Sequence, residues 1–111
     1  MESRTTIDLT DVWVNADNDA FVVGLEGTIL HYDGSTWTEM ESGTELPLYG
    51  LWGFSGTNVY AVGSDGTALH YDGSSWSEMD GGTTRTLQDI WGNSENDIFA
   101  VGWYGTIVHY D

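Results

Sequence analysis

The stretch LYGLWGFSGTNVYAVGSDGTALHYDGSSWSEM, residues 48–79, decides the reading of the whole chain, because the residues on either side are imperfect copies of it. Trp13, Trp52 and Trp91 are spaced by 39 residues. The same interval separates His31, His70 and His109, and it separates Trp37 from Trp76. Within each copy, short apolar runs alternate with clusters of Gly, Asn and Asp. No segment sustains the 3.6-residue periodicity of a helix before a glycine interrupts it.

A fixed period near 40 residues with four strand-like runs per copy describes a sheet that cannot cover its own two faces and must stack on its neighbours. That arithmetic is the arithmetic of a β-propeller blade, so the fold class expected is all-β. Residues 1–111 are read as a partial propeller, with repeats over about 9–47, 48–86 and 87–111 and residues 1–8 as the remnant of a preceding blade. This is slightly fewer than three blades, whereas propellers close with about four to eight. An open arc leaves a blade face uncovered at each end. If each face leaves roughly 400 Å² of apolar surface in water, the cost is on the order of 10 kcal/mol. The expected remedy is a ring closed by homo-oligomerisation, a six-bladed homodimer first and a nine-bladed trimer second.

Four strands are expected per copy. The inner strand spans 9–14, 48–53 and 87–92, and the turns that follow it are rich in Asn, Asp and Gly. The second strand, 20–24 with its copies 59–63 and 98–102, is continuously apolar, as suits burial on both faces. Tight hairpins follow at Gly24-Leu25-Glu26-Gly27, Gly63-Ser64-Asp65-Gly66 and Gly102-Trp103-Tyr104-Gly105, where the paired glycines are expected to supply positive φ. The third strand leads through Asp33-Gly34 or Asp72-Gly73 into an outer strand around Trp37 and Trp76. Asp111 matches Asp33 and Asp72, so the third copy lacks the equivalents of Gly34 to Glu39.

The words Asp89-Ile90-Trp91-Gly92, Asp97-Ile98-Phe99-Ala100-Val101-Gly102 and Gly105-Thr106-Ile107-Val108-His109-Tyr110-Asp111 resemble bacterial propeller repeats of the WD-repeat and neuraminidase-repeat kind. The likeness covers essentially the whole chain. Asp33-Gly34-Ser35-Thr36-Trp37 and Asp72-Gly73-Ser74-Ser75-Trp76 resemble a shortened Asp-box, with glycine and tryptophan one and four residues after the aspartate instead of two and five. The resemblance implies blade architecture. It implies no activity, since such repeats occur in enzymes, lectins and scaffolds alike.

Composition narrows the chemistry. Two arginines and no lysine against 18 Asp and Glu give a net charge of −16, a field that repels nucleic acid and anionic membranes, so neither is expected as a partner. With no cysteine there is neither a thiol nucleophile nor a Cys-ligated metal site. Sialidase-type catalysis needs three arginines around a substrate carboxylate, and the chain has Arg4 and Arg85. No catalytic residue, metal ligand or cofactor is therefore assigned, and the protein is not expected to be an enzyme. The three histidines recur on different blades and are read as partners of nearby Asp, Ser or Thr. Asn15, Asp17 and Asp19 have the alternation of a calcium loop, but the second copy offers Phe54, Gly56 and Asn58 there, which favours a plain turn.

What remains is the positions where hairpin tips break the repeat: Glu26, Asp65, and the adjacent aromatics Trp103 and Tyr104. These are the candidate ligand or seam residues. The function expected is a non-enzymatic, self-assembling propeller fragment that acts as a structural or interaction scaffold, natural or engineered, whose partner is itself. The alternative is a multivalent, lectin-like propeller that binds carbohydrate through aromatic tips such as Trp103.

Overall fold

The computed structural model describes residues 6–111. Among them, eleven strands form three antiparallel sheets. The first sheet runs β1 (Leu9–Ala16), β2 (Asp19–Gly24), β3 (Ile29–Tyr32) and β4 (Trp37–Met40), each strand beside the next in sequence. The second repeats this with β5 (Leu48–Ser55), β6 (Asn58–Gly63), β7 (Ala68–Tyr71) and β8 (Trp76–Met79). The third holds β9 (Leu87–Ser94), β10 (Asp97–Gly102) and β11 (Ile107–Tyr110). Registers repeat with the sequence: Trp13 pairs with Phe21, Trp52 with Tyr60 and Trp91 with Phe99.

The inner strands are two residues longer than the apolar pattern predicts. A register shift between Val14 and Ala16, repeated between Gly53 and Ser55, admits an extra residue and carries the strand past Asn15 or Phe54. The turn is thereby reduced to two residues, Asp17-Asn18 in the first blade. Asn15 Nδ2 donates to Asp19 Oδ2 at 2.9 Å across it. The Asp19 carboxylate thus closes the turn on one side and meets His31 Nε2 at 2.6 Å on the other. His70 meets Asn58 Oδ1 at 2.7 Å and His109 meets Asp97 Oδ1 at 2.8 Å. Each histidine is therefore a pin between the second and third strands of its blade, its ring lying against Phe21, Tyr60 or Phe99.

The tip turns correct one expectation. Gly24, Gly63 and Gly102 are extended, with φ of −162°, −167° and −164°. Positive φ falls instead on Glu26, Asp65 and Tyr104 at 61°, 58° and 59°, and on Gly27, Gly66 and Gly105. The first glycine serves close approach: a Cβ on Gly63 would lie 2.1 Å from the carbonyl oxygen of Pro47. Ser64 N donates to that same oxygen at 2.9 Å, tying the tip to the segment that enters β5.

The core lies between sheets. One cluster joins Phe21, Val23 and Ile29 of the first sheet to Leu48, Leu51, Val59, Ala61, Leu69 and Trp76 of the second, with Trp13, Met40 and Tyr71 at its margin. The other joins Val62 and Ala68, with Trp52, Tyr60 and Met79 beside them, to Leu87, Ile90, Ile98 and Ala100 of the third, with Val108 and Tyr110 beside them. The second set is nearly the first displaced by 39 residues. Each blade thus offers one face to the blade before it and the other to the blade after it. The inner strands are also tied directly, since Thr10 Oγ1 donates to Leu48 O at 2.5 Å and Leu51 N donates to Asp11 Oδ2 at 2.9 Å.

The outer hairpins are held by a carboxylate. Asp33 Oδ1 accepts from Ser35 N and Thr36 N, both at 2.9 Å, and Asp72 Oδ1 accepts from Ser74 N at 2.9 Å and Ser75 N at 3.0 Å. These amide hydrogen bonds hold both carboxyls below their ordinary value of 3.8. A lowered folded pKa gives stability that is present above the unfolded value and lost as pH falls through the folded one. The Asp33→Ala/Asp72→Ala double variant is therefore expected to melt below the parent at pH 7. That gap should shrink steadily below pH 3.8. Thermal unfolding followed by circular dichroism from neutral to acid pH checks this, and a gap independent of pH would refute it.

Candidate interaction surface

Displacing the inter-sheet cores once more by 39 residues gives Trp91, Phe99, Val101 and Ile107; the last three lie on the face that the third blade turns away from the second, and the half-exposed Trp91 ring at its margin also meets that of Trp52 in the second blade, with centroids 5.5 Å apart. These four are 54%, 41%, 44% and 71% exposed. Their counterparts Phe21, Val23 and Ile29 are all at most 1% exposed, as are Val62 and Ala68. The residue types that build a core twice are thus set out in water a third time. An apolar face of this kind is the mark of a contact surface.

The first blade's outward face is less open than the sequence predicts. Leu9, Val12 and Val14 of β1 are exposed, whereas Ala20, Val22 and Leu30 are buried. Those six include the counterparts of Leu48, Leu51, Val59, Ala61 and Leu69, the receiving side of the first core. Along β1 the receiving side is therefore available to a partner.

The tips flank these faces. The first two turns, Leu25–Gly27 and Ser64–Gly66, lie against the inner strands of the following blades. The segments that lead into those strands cross over them: a Cβ on Gly27 would lie 2.0 Å from Thr44 O, and one on Gly66 would lie 1.9 Å from Thr83 O. Gly105 has nothing within 4 Å. Trp103, counterpart of the half-buried Leu25 and Ser64, is accordingly exposed. Tyr104 differs, because Glu26 and Asp65 at its position are exposed even with a following blade in place. Its ring is 82% exposed with the Arg85 guanidinium 5.1 Å above the centroid, a cation–π contact.

Glu26, Asp65 and the Trp103-Tyr104 pair are thus on three separate blades at one level of the fold and do not converge on one site. Glu26 lines a cavity of about 370 Å³ with Glu39, Glu41, Ser42 and Thr44. Among the described residues no three His, Asp or Glu side chains gather in a metal-binding set. Among the described residues no helix is long and apolar enough to cross a membrane. The tip-based reading missed Arg85, and it did not name Trp91, Phe99, Val101 and Ile107. The signal for those four was their 39-residue spacing from residues read as core.

No family model matches the chain, and no curated protein matches it. Among solved structures, one described as YCF48 bound to D1 peptide superposes on 98% of this chain with a TM-score of 0.79 at 21% sequence identity. The chain has a β-propeller fold. It spans 38% of the length of that neighbour, so three blades here correspond to part of a larger propeller there. At that identity the likeness speaks for the fold alone.

Proposed function

We propose that this propeller arc is a non-enzymatic interaction scaffold that associates with copies of itself, the outward face of one chain's third blade docking on the first blade of the next. The observation that carries this is the recurrence at the exposed face of the residues that form both internal cores, Trp91, Phe99, Val101 and Ile107. Such a contact is head-to-tail, so it closes into a ring when the rotation permits and otherwise continues. Two chains make six blades and three make nine. The neighbour's description as peptide-bound supports an interaction role.

The seam would not copy the internal contacts at every position. Gly53 and Gly92 receive the tryptophan of the preceding blade, and their counterpart in the first blade is Val14. Gly50 faces Asp89, and its counterpart is Asp11, so two carboxylates would meet at the seam. Both departures weaken association without removing its apolar part. Light scattering after size exclusion tests the proposal: an assembly of two 12.2 kDa chains is expected at micromolar concentration, three chains would indicate the nine-bladed ring, and a monomer would refute it.

A carbohydrate-binding role draws support from one feature, the exposed Tyr104. Its position stays open whether or not a blade follows, so its ring would be free to stack on a sugar in an assembled ring. Glycan-array binding that Tyr104→Ala abolishes, with the assembly unchanged, is the outcome expected of that reading.

A further inference from the structure

The first and second sheets pack closely along their inner strands, β1 against β5, and part toward their outer strands. Between β4 and the outer hairpin of the second sheet this leaves a cleft of about 300 Å³, lined by the apolar Tyr71, Trp76 and Met40 and by the polar Glu39, Glu41 and Ser74-Ser75 turn. Ligand sites run from about 300 to 1,000 Å³, so a cleft at the lower limit suits a side chain rather than a cofactor. Its lining comes from residues 38–76, and the third sheet contributes nothing to it.

The apolar wall of the cleft is fixed by its own contacts. Trp76, 8% exposed, stacks on Tyr71 with ring centroids 5.3 Å apart and donates its indole N–H to Met40 Sδ at 3.4 Å. Tyr71 also meets Phe21 of the first sheet, with centroids 5.7 Å apart. The polar wall is fixed as well, because the Ser74 and Ser75 amides both donate to Asp72. A second cavity, of about 370 Å³, shares Glu39, Met40 and Glu41 with the first and continues past them to Glu26 and Thr44. Glu26, Glu39 and Glu41 are all exposed, and no cation of the chain answers them among the described residues. Arg85, the one Lys or Arg there, lies over Tyr104 instead.

An aromatic and thioether wall favours a flat, weakly hydrated group, and unpaired carboxylates beside it favour positive charge. A guanidinium meets both demands, since it lies against aromatic rings and bonds a carboxylate through two N–H groups at once. The chain already makes one such contact internally, where Arg85 lies over Tyr104. We propose that the cleft is the docking site for an extended, arginine-bearing segment of a partner protein. One guanidinium enters beside Glu39 and Glu41 against Tyr71, Trp76 and Met40, and a second basic side chain reaches the adjoining cavity beside Glu26. The net charge of −16 speeds the approach of such a segment, while the shaped wall selects arginine over other cations. This docking goes beyond self-association and stands without it, because the cleft and the face of the third blade share no residue.

The test titrates the full chain into a fluorescein-labelled peptide, Gly-Arg-Gly-Ser-Arg-Gly, and follows fluorescence anisotropy. Salt at about 0.15 M screens attraction to the rest of the acidic surface. Saturable one-to-one binding in the micromolar range is expected. The peptide with both arginines replaced by lysine carries the same charge and should bind at least about fivefold more weakly, because an ammonium neither stacks nor pairs in two places. Glu41→Gln should weaken binding of the arginine peptide at least about tenfold, as loss of a charge-assisted hydrogen bond does. Glu95→Gln removes the same charge from the third sheet, keeps the oxygen that accepts from Asn58, and should leave binding unchanged. The Val12→Asp chain should also bind as the parent does, even where it no longer associates with itself, which separates docking from assembly. No saturation at millimolar peptide, equal affinity for the lysine peptide, or equal weakening by Glu41→Gln and Glu95→Gln would overturn the proposal.

Discussion

Ile107→Asp is expected to convert the assembled protein to monomer while leaving the chain folded. Ile107 is 71% exposed, so within one chain the new carboxylate stays in water and costs little. Across the seam the same position corresponds to Ile29 and Ala68, which are 0% and 1% exposed. A carboxylate left unpaired there costs about 3 kcal/mol or more, which raises the dissociation constant roughly a hundredfold. Sedimentation velocity against concentration measures it, with circular dichroism to show that the strands persist. Association unchanged by the substitution would place the contact on another surface.

Val14→Gly is expected to act in the opposite direction. At the two internal contacts this position is glycine for a visible reason: a Cβ on Gly53 would lie 2.6 Å from the ring of Trp13, and one on Gly92 would lie 2.5 Å from the ring of Phe54. Trp91 is the counterpart of Trp13, so at the seam it meets Val14, and one ring or one strand has to give way. Overpacking of this kind costs about 1–3 kcal/mol, and its relief should tighten association about tenfold. The isolated chain pays for the change, because glycine in a strand loses about 0.5–1 kcal/mol against alanine. The expected pattern is therefore a lower melting temperature at high dilution together with a smaller dissociation constant. A variant that both melts lower and associates more weakly would show that Val14 is itself a favourable contact.

The period of 39 residues made most of this architecture readable. It told which residues are equivalent, and equivalence told that Phe21, Tyr60 and Phe99 play one role in three blades. What the pattern could not tell was set by contacts rather than by periodicity. The inner strands run past Asn15 because a bulge lengthens them, and a bulge leaves no mark in an apolar alternation. Gly24 and Gly63 looked like turn residues but are extended and needed for close approach, so the left-handed conformation passed to Glu26, Asp65 and Tyr104. The tips drew attention as the variable positions, yet the apolar surface consists of residues that repeat their buried counterparts and differ from them in exposure. Exposure, not sequence variation, distinguishes Phe99 from Phe21.

A head-to-tail contact makes a demand that no symmetric contact makes, since it requires two different surfaces. Val12→Asp disables the first-blade surface, where Val12 is 56% exposed and its counterparts Leu51 and Ile90 are buried. Ile107→Asp disables the third-blade surface. Each variant alone should be monomeric, but their equimolar mixture still contains one intact surface of each kind. The mass of that mixture by light scattering should therefore be twice 12.2 kDa, restored by pairing the Ile107→Asp chain's first blade with the Val12→Asp chain's third. A mixture that stays monomeric, or a Val12→Asp chain that still dimerises alone, would contradict assembly through these two faces.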